Sequence, residues 1–178
     1  INIPVGNNIV VDVEADGNLL GTNSMVCFGA VIIDKEGKLD KTFYGKTAPI
    51  SDIYDPEALS VSGFSRSEHL EFDEPHLVMQ DFKEWIEENS KGKPILISDN
   101  NGFDASWINW YFIKYIGENP FGWSSRRIGD MFAGFMNSSH YKWKKHRITR
   151  HTHHPVDDCK GNAEALLWLR DQGYNIKF

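Results

Sequence analysis

The chain has 178 residues, 40% apolar and 13% aromatic, enough for one domain with a substantial core. A net charge of −6 excludes a surface coated in basic residues, and no run approaches the roughly 20 apolar residues of a membrane span. Two distant cysteines, Cys27 and Cys159, exclude a CxxC zinc site and a dense disulfide framework. The opening Ile1-Asn2-Ile3-Pro4 lacks the pattern of a secretory leader, so a cytoplasmic location is the expectation.

Ile9-Val10-Val11-Asp12-Val13-Glu14 reads as a central strand buried on both faces. Alternation puts Asp12 and Glu14 on one face and Ile9, Val11 and Val13 on the other. Two carboxylates this close in an apolar strand do not both stay ionised unless a cation sits between them. A divalent metal is the simplest candidate; a strand end emerging into solvent before Asp16-Gly17 is the alternative. Met25–Ile33 reads as a second strand, Asp34–Lys38 as a hairpin turn with Gly37 at positive φ, and Thr42–Gly45 as the start of a third strand. Glu74-Pro75 opens a helix with Val78, Phe82, Trp85 and Ile86 on one face, closed by Gly92-Lys93-Pro94. Residues 94–98 form another strand, and 105–116 form a helix that is apolar nearly all round and stopped by Gly117. A last helix runs from about Asp158 to Arg170, burying Cys159, Ala163, Leu166 and Leu167. The order βββ-α-β-α-α predicts a three-layer α/β fold over residues 1–178. An antiparallel three-strand meander is followed by β-α units in a mixed central sheet, with helices on both faces.

Three further groups carry chemistry. Asp104 follows a buried strand and opens a buried helix, a common site position in α/β sheets, with helix capping as the alternative. His151-Thr152-His153-His154-Pro155-Val156-Asp157-Asp158 puts a histidine-rich loop directly before a helix. There Asp157 or Asp158 could instead cap the helix, and the histidines could be merely exposed. From Arg126 to Val156, seven Lys/Arg stand against one acid, Asp130, so this stretch carries +6 and the rest of the chain −12. Such asymmetry fits a local anionic partner, a solvated basic loop being the alternative. Five of the seven histidines (His140, His146, His151, His153 and His154) lie close together, which raises a zinc reading. Against it, there is no HxxxH or HExxH pair and no nearby cysteine.

Taken in order, Asp12-Val13-Glu14, then Ser98-Asp99-Asn100-Asn101-Gly102-Phe103-Asp104, then His153-His154-Pro155-Val156-Asp157-Asp158 resemble the DEDDh (DnaQ-like) 3'-5' exonucleases. That family includes the proofreading subunit of DNA polymerase III and RNase T. Asp55–Phe64 resembles the family's segment between the first two motifs, and the likeness spans roughly Ile9 to Leu169. Two departures stand out. Ala15-Asp16-Gly17 replaces a common Thr-Thr-Gly, and Asp99 takes the place of a common His; each adds an acid expected near the site.

The resemblance implies an RNase H-like fold and hydrolysis with two divalent ions, Mg²⁺ or Mn²⁺. Asp12 would bridge both ions, Glu14 and Asp158 would complete one site, and Asp104 would hold the second ion through water. His153, five residues before Asp158, would be the general base, with His154 and His151 as lesser candidates. Glu14 would also touch the terminal 3'-hydroxyl. Phe64 and Leu59 would wedge the last bases, and Asn100 would join the substrate contacts. Lys142, Lys144, Lys145, Arg147 and Arg150, with Trp143 among them, would track the backbone and make binding salt-dependent. The partner would be a single-stranded DNA or RNA 3' end, with DNA favoured and nucleoside monophosphates released. The chain would be a monomer or homodimer with no polymerase-tethering tail. Alternatives are an oligoribonuclease-type trimming enzyme, an inactive nucleic-acid-binding fold and a zinc hydrolase.

Overall fold

The computed structural model describes residues 4–178; the reading of the chain's opening rests partly on residues 1–3, outside the described residues. Five strands pair in the order β3-β2-β1-β4-β5. β1 (Gly6–Ala15), β2 (Met25–Ile32) and β3 (Thr42–Lys46) form the expected antiparallel meander, while β4 (Ser90–Ser98) and β5 (Ser125–Arg127) add in parallel beyond β1. Gly37 turns the β2–β3 hairpin at φ 85°, and the Asp34 amide donates to the Lys38 carbonyl at 3.0 Å.

The alternation in β1 divides the core. Ile9, Val11 and Val13 face a layer built from α3 (Pro75–Asn89) and α4 (Asn101–Tyr115), where Phe28, Phe82, Trp107, Tyr111 and Phe112 pack. Val10 faces the opposite layer, where Ile128 and Phe132 of α5 (Ile128–Met136) meet Cys159, Ala163, Leu166 and Leu169 of α6 (Pro155–Asp171). Asp12 and Glu14 share the parity of Val10, so they rise at the carboxyl-terminal end of β1 on the α6 side.

Several boundaries differ from the sequence reading. Gly92-Lys93-Pro94 does not close a helix: α3 ends at Asn89, and these residues lie inside β4. Proline is tolerated there because the pairing of β4 with β1 is irregular at this point: Gly6 pairs with Ser90 and Asn8 with Ile95, so Pro94 sits where the ladder is broken. α4 begins at Asn101, four residues early, because its first turn is polar. α6 begins at Pro155, the favoured first helical position, and it buries Leu169 while Leu167 is only half-buried. β5, α5 and the short helices α1 (Pro56–Val61) and α2 (Arg66–Leu70) had no expectation. β5 is a three-residue Ser-Arg-Arg edge without alternation, and α1 and α2 are too short for a helical period to show. Among the described residues, no helix is long and apolar enough to cross a membrane.

Candidate active site

The site forms where β1 meets the start of α6. Asp12 pairs across the sheet with Gly29 of β2. A Cβ at Gly29 would lie 2.6 Å from the Pro155 carbonyl carbon and from the Val156 nitrogen. Only glycine lets the first turn of α6 come this close to the sheet. The Cys159 thiol donates to the Gly29 carbonyl at 3.3 Å, tying the same contact from the helix side. Asp158, 5% exposed, is thereby carried to β1, and oxygen atoms of Asp12, Glu14 and Asp158 all lie within 4.8 Å of one another.

Asp104 joins this group less closely. It is 4% exposed in the first turn of α4, and its Oδ1 accepts the Val13 amide at 2.9 Å. The Ser98 hydroxyl stands beside it without an aligned hydrogen bond. Asp104 therefore ties α4 to the strand between the two β1 acids. At α6 the capping role belongs to His154, not Asp157 or Asp158: its Nδ1 accepts the Val156 amide at 3.2 Å.

The electrostatics match a cation site. Burial, then the charges of Asp104, Glu14, Asp158 and Asp99, raises the Asp12 carboxyl well above the ordinary carboxylate range. Glu14 is pushed up to about 7 by burial and by the charges of Asp158 and Asp104. Burial also raises Asp104 to about 7, even though the Val13 amide pulls it down. Asp12 Oδ2 is buried and has no hydrogen-bond partner among the described residues. A buried carboxylate oxygen left without a donor is costly, and a hard divalent cation ligated by carboxylates removes that cost. The donor set fits such an ion.

The histidine loop folds back over Asp158. His151 Nδ1 lies 2.9 Å from Asp158 Oδ1, which also accepts the Thr152 amide at 3.2 Å. The rings of His151 and His153 are 4.4 Å apart, and ligating atoms of both lie within 4.8 Å of an Asp158 oxygen and of each other. His153 has φ 65°, a left-handed conformation that costs energy in a residue with a Cβ. His154 stacks 4.5 Å from Tyr44, outside both groups of ligating atoms.

The other expected residues scatter in role. Phe64 is half-buried and edge-to-face with Phe72 at 4.9 Å, while Leu59 is 4% exposed and packs with Val26 and Cys27. Asn100 is exposed just before α4 and makes no side-chain cap. Lys142, Lys145 and Arg150 are exposed. Lys144 pairs with Asp99 at 2.9 Å, and Arg147 is held inside the loop by Asn162 Oδ1 at 2.9 Å and by the face of Trp143. Trp143 is 5% exposed, so it anchors the basic loop in the core and is not interleaved with the cations on the surface. Asp99 does add charge near the site, as expected. Asp16 does not: a register irregularity between Glu14 and Ala15 turns it toward Ser24 and Arg66. There the Ser24 amide donates to it at 2.6 Å and the Arg66 guanidinium at 3.2 Å, with neutral His69 beside them. Sequence reasoning missed this buried pair, because Arg66 lies fifty residues away in a helix too short to register. It also missed the close contact of His151 with Asp158, for which the crowding of histidines was the only signal.

Comparison with known proteins adds a family context. Residues 7–169 match the family described as "3'-5' exoribonuclease Rv2179c-like domain". The chain is 33% identical over 167 residues to the 3'-5' DNA exonuclease Cap18 of Escherichia coli, covering 92% of this chain and 86% of that one. Among solved structures, the nuclease domain of 3'hExo, a DEDDh family member bound to rAMP, superposes with a TM-score of 0.77 at 18% identity over 96% of each chain. The Mg²⁺- and Mn²⁺-bound form of Pop2p from S. pombe superposes with a TM-score of 0.69 at 16% identity, over 95% of this chain and 84% of that one. At such identities these two structures show a shared fold.

Proposed function

We propose that this chain, which belongs to the Rv2179c-like 3'-5' exoribonuclease domain family and is a 3'-5' exonuclease of DEDDh type, trims single-stranded DNA from its 3' end as one catalytic domain. The observation that carries the catalytic reading is the buried, partnerless Asp12 oxygen at the corner of three converging carboxylates. The DNA preference draws support from the relative that is 33% identical, a DNA exonuclease. RNA trimming is the second reading, favoured by the family's own description.

Asp12, Glu14 and Asp158 would hold one divalent ion, and Asp12 with Asp104 a second; Mg²⁺ or Mn²⁺ suits these oxygen donors. When bound, such ions supply charge stabilisation to the attacking and leaving oxygens of an in-line displacement. The chain's own groups do the rest. His153 accepts the proton of the attacking water at a ring nitrogen as the water oxygen bonds to phosphorus. The bond from phosphorus to the 3'-oxygen breaks, releasing a nucleoside 5'-monophosphate and a shortened strand whose new 3'-hydroxyl takes a proton from solvent. Glu14 accepts a hydrogen bond from the terminal 3'-hydroxyl and so confines attack to the strand end. Phe64 offers a ring edge to the last base, and exposed Lys142, Lys145 and Arg150 face the phosphates upstream.

The test is digestion of 5'-labelled single-stranded DNA and RNA of one sequence with Mg²⁺ or Mn²⁺. The expected result is a ladder shortening from the 3' end with mononucleotides released, faster on DNA. Faster digestion of RNA would overturn the DNA preference, and internal cuts would overturn the end-trimming reading. His153→Ala should retain oligonucleotide binding and lose about 10²–10⁴-fold in turnover. Near-normal turnover in that variant would remove His153 from the role.

A further inference from the structure

We propose that His151, His153 and Asp158 form a second metal site, rich in nitrogen, that takes an imidazole-seeking divalent ion of the zinc class. We propose further that filling it switches the nuclease off. The second part rests on the function proposed above; the first does not.

Asp158 belongs to two groups of ligating atoms at once. On its β1 side it meets Asp12 and Glu14, an all-oxygen set. On its loop side it meets His151 and His153, two ring nitrogens with one carboxylate. These sets differ in the ion they favour. Mg²⁺ takes carboxylate and water oxygens, whereas Zn²⁺ and its neighbours bind imidazole nitrogen readily. Two histidines and one carboxylate leave a fourth position for water, a pattern common among zinc sites. A tetrahedral zinc with bonds near 2.0–2.2 Å needs its ligand atoms about 3.3 Å apart. The three atoms here lie within 4.8 Å; the His151–Asp158 pair, in direct contact at 2.9 Å, must open slightly to admit the ion between its atoms. Both histidines are exposed, so modest side-chain rotations adjust the spacing without disturbing the core.

The loop is already braced for it. The Thr152 hydroxyl donates to Asp157 Oδ2 at 2.9 Å, and the His154 amide donates to the Thr152 hydroxyl at 3.2 Å. Pro155 then locks the entry to α6. These contacts hold His153 in its left-handed conformation with the His151 ring alongside.

Occupation has a direct consequence for the chemistry. An ion on His153 takes the lone pair that would accept the proton, and its hold on Asp158 draws an oxygen away from the carboxylate set. One ion thus disables the base and weakens the hydrolytic centre together. Such a site would not make the protein a zinc hydrolase; zinc there is an inhibitor.

The experiment uses the whole chain in saturating Mg²⁺. Co²⁺ is titrated and followed by visible absorption, and Zn²⁺ by calorimetry. The expected result is one Co²⁺ per chain with the intense bands of four-coordinate geometry, displaced by Zn²⁺. In His151→Gln both ions should bind at least about tenfold more weakly. Asp12→Asn, which alters only the oxygen set, should keep the bands and the Zn²⁺ affinity. Unchanged affinity in His151→Gln, or a loss confined to Asp12→Asn, would overturn the site. For the switch, Zn²⁺ should stop Mg²⁺-supported digestion at the concentration that fills the site, and His151→Gln should need about tenfold more. Digestion that persists in zinc-filled protein overturns the switch. If the wild type digests neither DNA nor RNA, the functional reading fails, while the Co²⁺ and Zn²⁺ titrations still decide the site.

Discussion

Asp12 concentrates the cost of this site in one side chain. It combines a buried oxygen that has no hydrogen-bond partner among the described residues with four neighbouring acids, so its ionised form destabilises the metal-free fold at neutral pH. Asp12→Asn keeps the shape and removes the charge. The expected outcome is loss of hydrolysis together with a melting temperature a few degrees above the wild type in chelator at pH 8, read by calorimetry. A lower melting temperature would show that the Asp12 carboxylate is stabilised by partners other than a cation. At this scale the sequence was informative where identity alone decides chemistry: Asp12, Glu14, Asp104 and Asp158 are acids in the expected order. It was uninformative where direction matters. Asp16 has the same parity as Glu14, yet one irregularity after Glu14 sends it to Arg66 instead.

The critical element contact is β2 against the first turn of α6. Gly29 is the only β2 position opposite Asp12, and its missing side chain lets Pro155 and Val156 approach. Gly29→Ala would place a methyl group against backbone atoms, which cannot rotate away. The helix must shift, and Asp158 shifts with it. A displacement of about 1 Å at a reacting centre costs on the order of a hundredfold in rate. We expect that loss in turnover together with a lowered melting temperature, whereas Gly134→Ala in α5, where open space surrounds the added carbon, should change neither. Turnover in Gly29→Ala equal to wild type would show that α6 tolerates the shift. The sequence marks α6 by its proline start and apolar stripe, but nothing in it pairs Gly29 with Pro155. That pairing depends on how a distant helix docks on the sheet.

Over the whole molecule, charge and pH act together. Glu14 and Asp104, each at about 7, bind protons in the folded state that the unfolded chain gives up near pH 4. The folded state therefore holds more protons than the unfolded state between about pH 4 and pH 7, and this contribution to stability falls as pH rises through that window. A bound dication reverses the loss by favouring the ionised acids. Added Mg²⁺ should raise the melting temperature clearly at pH 8 and little at pH 5, by calorimetry of the same protein. An equal rise at both values would show that the ion binds away from these acids. The basic stretch acts on the same scale: Lys144 and Arg147 are engaged by Asp99, Asn162 and Trp143, and Lys145 lies over the Tyr141 ring, so the proposed salt dependence of nucleic-acid binding should fall chiefly on the exposed Lys142, Lys145 and Arg150.

The sequence by itself determined the layered fold and the identity of the acids. Period-two alternation in β1 and helical spacing in α3 are local patterns that burial enforces, and a carboxylate is a carboxylate wherever the chain carries it. Only the tertiary structure decided which groups meet. It brought His151 to Asp158, turned Asp16 away, sank Leu59 and Trp143 into the core, and left Asp12 with an oxygen that no donor among the described residues reaches. Those outcomes depend on the docking of segments far apart in the chain and on side-chain direction at a few irregular positions, neither of which leaves a period in the sequence.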